Sequence, residues 1–340
     1  MQTSKYDPFF GIELEFWRDD VDQVRIHDED DRIEAKNDKE KLKLYAKDNA
    51  EAAKLYAPVI KDWEKKLQLF EKSEKDYDIV RSKHDHKGHG IKYIRYSFFK
   101  GKDEVWWFQV TLDNGVLEIV AKPFTLTDWD GGVNAIADTY IYGVAEACGY
   151  TSVCREGAEL AGHLSVDYTT GFSGSFANVI RFMMYVADSE SLWLKALTKG
   201  SAMDYVDPYN ALYICDFAEY MEEQEWKELF DMYKDALGKD YNYIKHGSHN
   251  HITLDMMSNA HQAIEQLMEK IRTIGIEYDL ADEDTIDEHY MGINTESIMR
   301  DPHNQSSWRV EFRRVIMPEN AGVLEDQLKF IYSQLQSQKV

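Results

Sequence analysis

The segment 9–17, "FFGIELEFW", alternates so regularly that it reads as a β-strand. Ile12, Leu14 and Phe16 fall on one face, Glu13 and Glu15 on the other. Strand rise puts the two carboxylates about 7 Å apart. On a buried face, like charges at that spacing are costly unless cations lie between them. A strand with one face in water gives the same pattern, so the pair takes its meaning from the rest of the chain.

The composition changes abruptly after this strand. Residues 18–92 are dominated by Asp, Glu, Lys and Arg. From Asp38 to Ser82 the pattern predicts one or two long helices, with an apolar stripe at Leu55, Tyr56, Ile60, Trp63, Leu67 and Phe70. Pro58 lies inside and is a point where the helix can kink or split. The region reads as a charged helical insertion between two strands of one domain spanning 1–340, and a large substrate or an oligomer contact would give it a purpose.

Strands are expected at 92–99, 104–111 and 115–121, with "DNG" at 113–115 as a tight turn. A helix is expected over 132–147, capped by Thr127 or Asp130, and a strand over 159–168. Further helices are read at 174–188, with Ser173 or Ser175 as cap, through most of 189–275, and at 320–336. The last strands are read at 286–294 and 307–316. The sum is an α+β fold: antiparallel strands carrying polar inner positions, with helices over one face.

Four polar elements stand out in these strands. Glu118 is a lone acid in the apolar run "GVLEIVA", where charges are seldom placed without a partner. His163 shares a face with Ser165 and Asp167, and Gly162 beside it lets a ligand or backbone come close. In "SWRVEFRRVI", Arg309, Glu311 and Arg313 share one face, opposite Val310, Phe312 and Arg314. A cross-strand ion pair explains that arrangement; so does a metal-binding carboxylate beside arginines that hold a phosphoryl group. The histidine groups at 84, 86 and 89 and at 246, 249 and 251 have no standard zinc spacing.

Charge narrows the function classes. Acids outnumber bases 62 to 39, for a formal charge of −23. Such a surface repels nucleic-acid backbones and anionic membranes and suits cations or metal-chelated nucleotides. The three cysteines, at 148, 154 and 215, suggest neither a disulfide framework nor a zinc site. No apolar run has signal-peptide or membrane-spanning length, so a cytoplasmic protein is expected. There is no Walker A loop, dinucleotide fingerprint or serine nucleophile elbow.

Taken in order, these elements resemble the carboxylate–amine ligases of the glutamine synthetase and glutamate–cysteine ligase superfamily, and most closely its amidoligase branch. The matching pieces are "GIELEF" (11–16), "LEIVAKPF" with Glu118, "GHLSVD" with His163, Tyr290 with Asn294, and "RVEFRR". Ala121 stands where that pattern more often has Ser, and Leu117 where it has an aromatic residue. The resemblance implies a curved, mainly antiparallel sheet whose concave face binds ATP and Mg²⁺ or Mn²⁺. It implies that Glu13, His163 and Glu311 hold one metal ion against the phosphates, and that Glu15 and Glu118 hold another near the acceptor carboxylate. Asp167, Glu104 and Glu159 are the candidates for a third carboxylate ligand. Arg313 is assigned to the transferred phosphoryl group, Arg309 or Arg314 to phosphate or substrate, and Ser165 and Asn294 to the nucleotide. The implied substrates are a carboxylate and an amine, either small molecules, peptides or a protein side chain. Two rivals remain: phosphoryl transfer to a guanidino group on the same fold, and a non-catalytic binding or assembly module.

Overall fold

The computed structural model describes residues 7–19, 21, 38–74, 76–85, 92–113, 115–152, 160–174, 178–179, 182, 293–294 and 308–337. These form a mixed helix and strand fold with an open antiparallel sheet of eight strands. The strands are β1 (Phe10–Phe16), β2 (Asp78–Asp85), β3 (Lys92–Lys100), β4 (Asp103–Asp113), β5 (Val116–Ala121), β6 (Ala161–Asp167), β7 (Ile293–Asn294) and β8 (Arg309–Ile316). Their order is β2-β3-β4-β5-β1-β6-β8-β7. Backbone contacts group the chain into two compact units, one of Gly11–Gly162 with Met317–Glu325, the other of Met1–Phe10, His163–Ile316 and Asp326–Val340.

In the first unit the cross-strand registers line up one apolar face. Leu14 stands opposite Ile119, Ile119 opposite Val110, and Val110 opposite Ile94. Phe108 stands opposite both Ala121 and Tyr96, and every one of these side chains is buried. The turn between β4 and β5 follows the "DNG" expectation: Asp113 pairs with Val116. Gly115 has φ 84, a left-handed conformation that glycine adopts without steric cost.

Helix α1 (Asp38–Ser73) covers this apolar face. Tyr56, Val59, Ile60, Trp63 and Leu67 are buried, and the Tyr56 hydroxyl donates to the Val110 carbonyl at 2.9 Å. Phe70 is half-buried, while the side chain of Leu55 lies outside the described residues. Pro58 neither splits the helix nor ends it. Its ring is exposed, and the buried residues on either side fasten both halves to the same sheet.

Two expectations for this unit need correction. Residues 78–82 are not helical: β2 pairs with β3 through eight successive residues, Asp78 with Phe99 to Asp85 with Lys92. The alternation was hidden because β2 is an edge strand whose residues do not sort by polarity: Val80 is exposed and Arg81 half-buried. His84, expected in a loop, is the last residue but one of this strand and stacks on Tyr93 at 5.2 Å. The second correction concerns the helix expected from 132. The chain turns helical at Leu126, is interrupted at Gly132 and runs on as helix through Cys148, with two wider π turns at Trp129–Val133 and Ala137–Tyr142. The cap is Thr125, not Thr127 or Asp130, and Thr125 and Asp128 bond each other's backbone N–H groups. This reciprocal box satisfies donors that a helix start leaves open. Asp-Gly-Gly looked like a loop because Gly132 does break the helix there, at φ 132.

In the other unit, Leu164 and Val166 of β6 and Val310, Phe312, Val315 and Ile316 of β8 are buried apolar residues. Tyr168 packs edge-on to Trp308 at 5.2 Å, and Phe182 on Phe312 at 6.0 Å. The C-terminal helix Ala321–Ser337 buries Leu328, Ile331 and Leu335, and Gln327 donates to the Ile316 carbonyl at 3.0 Å. Ser173 has φ 55 and sits in a turn. Ser175, Glu159, Tyr290, the cysteines 154 and 215, the histidines 86, 89, 246, 249 and 251, the helices read within 189–275 and most of the strand read at 286–294 lie outside the described residues. Among the described residues no helix is long and apolar enough to cross a membrane.

Candidate functional site

The strand face opposite the apolar one carries the acids. In the unit holding β1–β5, Glu15 stands directly opposite Glu118, and Glu118 directly opposite Thr111. Directly opposed residues of an antiparallel pair have Cβ atoms about 5 Å apart, and like charges there repel. Glu15 is buried and Glu118 half-buried, so water screens this repulsion only partly. Glu13 lies two positions from Glu15 on the same face and opposite Val120.

Thr111 was not singled out in the sequence, yet it is 1% exposed and its hydroxyl has no hydrogen-bond partner. It extends the acid row by one strand. On the same face of β4 lie Gln109 and Trp107, and the Arg95 guanidinium sits 3.9 Å above the Trp107 ring. The signal for this row was present: "VWWFQVT" alternates between Trp106, Phe108, Val110 and Trp107, Gln109, Thr111.

The other unit gathers three of the predicted residues around a fourth, Glu311. His163 Nδ1 is 3.4 Å and Arg313 Nε 3.5 Å from Glu311 Oε1. Arg309 is 3.6 Å from Glu311 Oε2. Asn294 stands opposite Glu311 in the β7–β8 register. Glu311 and the Arg313 and His163 side chains are mostly buried, while the Arg309 side chain is about half exposed, at 49%. Charge-assisted hydrogen bonds run to about 2.7–2.9 Å, so none of these three contacts binds the carboxylate tightly. Ser165 shares the half-buried face of β6 with His163. Arg314 lies in β8, and its side chain lies outside the described residues.

Two candidates for a third metal ligand are engaged elsewhere. Asp167 caps the short helix Tyr168–Gly171, accepting from the Thr170 backbone N–H and hydroxyl at 2.6 Å each. Glu104 is exposed and pairs with Lys122 at 3.2 Å. Asp167 thus serves local chain geometry, and Glu104 an exposed ion pair with a neighbouring segment. Cys148 is buried, and burial, then the nearby Asp62 charge, pushes its thiol up to about 12. Such a thiol stays protonated and is a poor nucleophile.

Comparison with protein-family models, with curated proteins and with solved structures returns no match.

The Glu15–Glu118 pair supports an expectation whose sign separates two accounts. If the pair awaits a cation, Glu118→Gln relieves repulsion and raises the stability of the metal-free protein by about 0.5–1 kcal/mol. The same variant then gains less from added Mg²⁺ than the native chain does. Urea denaturation in chelator and in Mg²⁺ checks both arms. A loss of stability in chelator would mean that the glutamate is held by partners within the protein, and would remove the pair as a cation site.

Proposed function

We propose that the chain is an ATP-dependent carboxylate–amine ligase with a glutamine synthetase-like sheet, acting as a single catalytic domain. The observation that carries this reading is the Glu311 cluster, in which one loosely held carboxylate, an imidazole and two arginines share a mostly buried strand face. Supporting it are the opposed Glu15 and Glu118 on the unit that carries β1 and β5 and the order of the sequence motifs. By the resemblance, Glu13, His163 and Glu311 are assigned one divalent ion. Glu15 and Glu118 are assigned a second.

The donor chemistry fits that assignment. Carboxylate oxygens suit Mg²⁺, and an imidazole nitrogen among them makes Mn²⁺ a good substitute. Bound metal would neutralise phosphate charge, which is the main requirement of phosphoryl transfer. The protein's own residues do the rest. Arg313 presents a planar, permanently charged fork to the transferred phosphoryl oxygens. Arg309 and Arg314 hold the released phosphate or the substrate carboxylate, and Ser165 and Asn294 contact the nucleotide. The substrate carboxylate attacks the γ-phosphorus, giving an acyl phosphate and ADP. The amine then attacks the acyl carbon, expelling phosphate and losing a proton as the amide forms.

The test is ADP release in Mg²⁺ or Mn²⁺, screened over paired carboxylates and amines, with mass spectrometry of the product. The expected product is lighter than its two substrates together by one water. A stable phosphorylated guanidine would place the chain among guanidino kinases instead. Absence of any metal-dependent ATP binding would overturn both in favour of a non-catalytic module.

A further inference from the structure

The sheet face that carries the acid row also carries a cation that the proposed reaction does not use. Arg95 lies on β3, two strands from Glu118 in the order β3-β4-β5, about 10 Å away by strand spacing alone. Its cross-strand partners are Ser82 on β2 and Gln109 on β4. Along β3 the same face continues with Tyr93 and Ser97. None of these four is acidic, although the chain has 62 Asp and Glu residues to place there. Among the described residues no carboxylate pairs with Arg95 and no hydrogen bond engages it. Every other arginine whose side chain is described sits beside a carboxylate partner.

The side chain is nevertheless held in place. It is half-buried, and its guanidinium lies 3.9 Å above the Trp107 ring, where the charge is attracted to the negative face of the indole. Nε is covered and has no hydrogen-bond partner, while neither terminal nitrogen is in that covered state. The fork at the end of the side chain is therefore the part that meets solvent. Gln109, directly opposite, is half-buried, and its amide too has no hydrogen bond among the described residues. The β2 side of this shelf is satisfied by its own residues. Ser82 Oγ and His84 Nε2 lie 2.8 Å apart, and the His84 ring stacks on Tyr93. What stays open is a set of donors: two guanidinium nitrogens and an amide NH₂. A guanidinium has no acceptor, so the missing partner is an anion.

We propose that Arg95 and Gln109 form a binding site for the carboxylate of a small ligand, the guanidinium holding both oxygens and the Gln109 amide donating to one of them. One fixed positive charge matches a carboxylate better than the nearly double charge of a phosphate, and the planar fork matches two coplanar oxygens. Stacking on Trp107 fixes the fork beforehand, so little side-chain freedom is left to lose on binding. The chain charge of −23 opposes anions at long range. Charges more than about 8 Å apart are screened at physiological salt, so the lack of acids around Arg95 decides. The proposal uses none of the residues assigned to the ligase reaction, and each can fail alone.

Nuclear magnetic resonance titration of the full ¹⁵N-labelled chain with benzoate tests it, without nucleotide or metal. Benzyl alcohol and inorganic phosphate are the comparisons, at matched ionic strength. The covered Arg95 Nε–H and the Gln109 side-chain amide are the reporters. The expected result is a saturable shift of both signals with benzoate, none with benzyl alcohol, and weaker binding of phosphate. Arg95→Lys keeps the charge and loses the fork, and should weaken benzoate binding about tenfold, read on the Gln109 amide. Gln109→Glu sets a carboxylate of the protein's own against Arg95 and should abolish the benzoate shift at the Arg95 Nε–H. If Arg95→Lys fails to fold, Gln109→Glu still decides. Absence of a saturable shift, native affinity in either variant, or tighter binding of phosphate than of benzoate would each overturn the proposal.

Discussion

Glu311→Gln is expected to remove metal-dependent ATP binding and with it ADP release, by more than about 100-fold. Loss of a residue that merely supports a metal ligand already costs about 10–100-fold, and Glu311 is assigned as a ligand itself. A saturating ligand gives an independent measure. At a concentration roughly a hundred times its dissociation constant, Mg²⁺-ATP should stabilise the native chain by about 2.7 kcal/mol. It should stabilise the variant hardly at all.

The same substitution has a second effect that must be separated from the first. Glu311 is the carboxylate shared by His163, Arg309 and Arg313. Removing its charge leaves the mostly buried Arg313 with less compensation, a change that can cost about 3–5 kcal/mol when a buried pair is broken. The contacts of 3.4–3.6 Å argue for less than that here. Arg313→Gln distinguishes the causes. If Glu311 serves only to neutralise arginine, removing Arg313 as well rescues the stability of Glu311→Gln, and neither variant changes metal binding. If Glu311 holds a metal ion, the double variant stays blind to Mg²⁺-ATP. Denaturation curves for the four proteins, with and without Mg²⁺-ATP, give the answer; rescue together with retained Mg²⁺-ATP stabilisation would sink the metal assignment.

The parts of this site that could be read in the sequence are those set by strand alternation. Glu13 and Glu15 share a face because successive residues of β1 point to opposite sides, and the same rule joins Arg309, Glu311 and Arg313. The position of Thr111 opposite Glu118 was also available: a two-residue turn after Asp113 pairs 111 with 118 by counting. What alternation cannot supply is long-range pairing. That Glu15 faces Glu118 depends on β1 entering the sheet beside β5, across the whole segment 17–115. Nor does a strand pattern reveal which polar residue is taken by chain geometry. Asp167 looks like Glu15 in the sequence, yet it caps a helix because Thr170 follows three residues later. β2 stayed hidden because polarity does not follow burial along it, with Val80 exposed and Arg81 half-buried.

Within the charged stretch 18–92 the helix α1 was legible, though not its end before β2, and Trp63→Ala tests how firmly that helix belongs to the fold. Trp63 is fully buried on α1 and lies 6.2 Å from the Tyr150 ring. Tyr56, Val59, Ile60 and Leu67 are buried along the same helix. Truncating a buried tryptophan to alanine costs about 3–5 kcal/mol, through lost transfer energy and the cavity left behind. Domains have about 5–15 kcal/mol to lose, so this change approaches the point of unfolding. An appended surface helix would lose little. The indole N–H of Trp63 has no acceptor, so Trp63→Phe, which keeps a ring and removes that donor, should cost under about 2 kcal/mol. Urea unfolding followed by far-ultraviolet circular dichroism separates the cases, and equal, small effects of both variants would show α1 to be an ornament. A large effect confined to Trp63→Ala would mean that α1 holds β4 and β5 in place, and with them the register that sets Glu118 against Glu15. The insertion would then be a structural condition of the acid row and not merely an extra surface beside it.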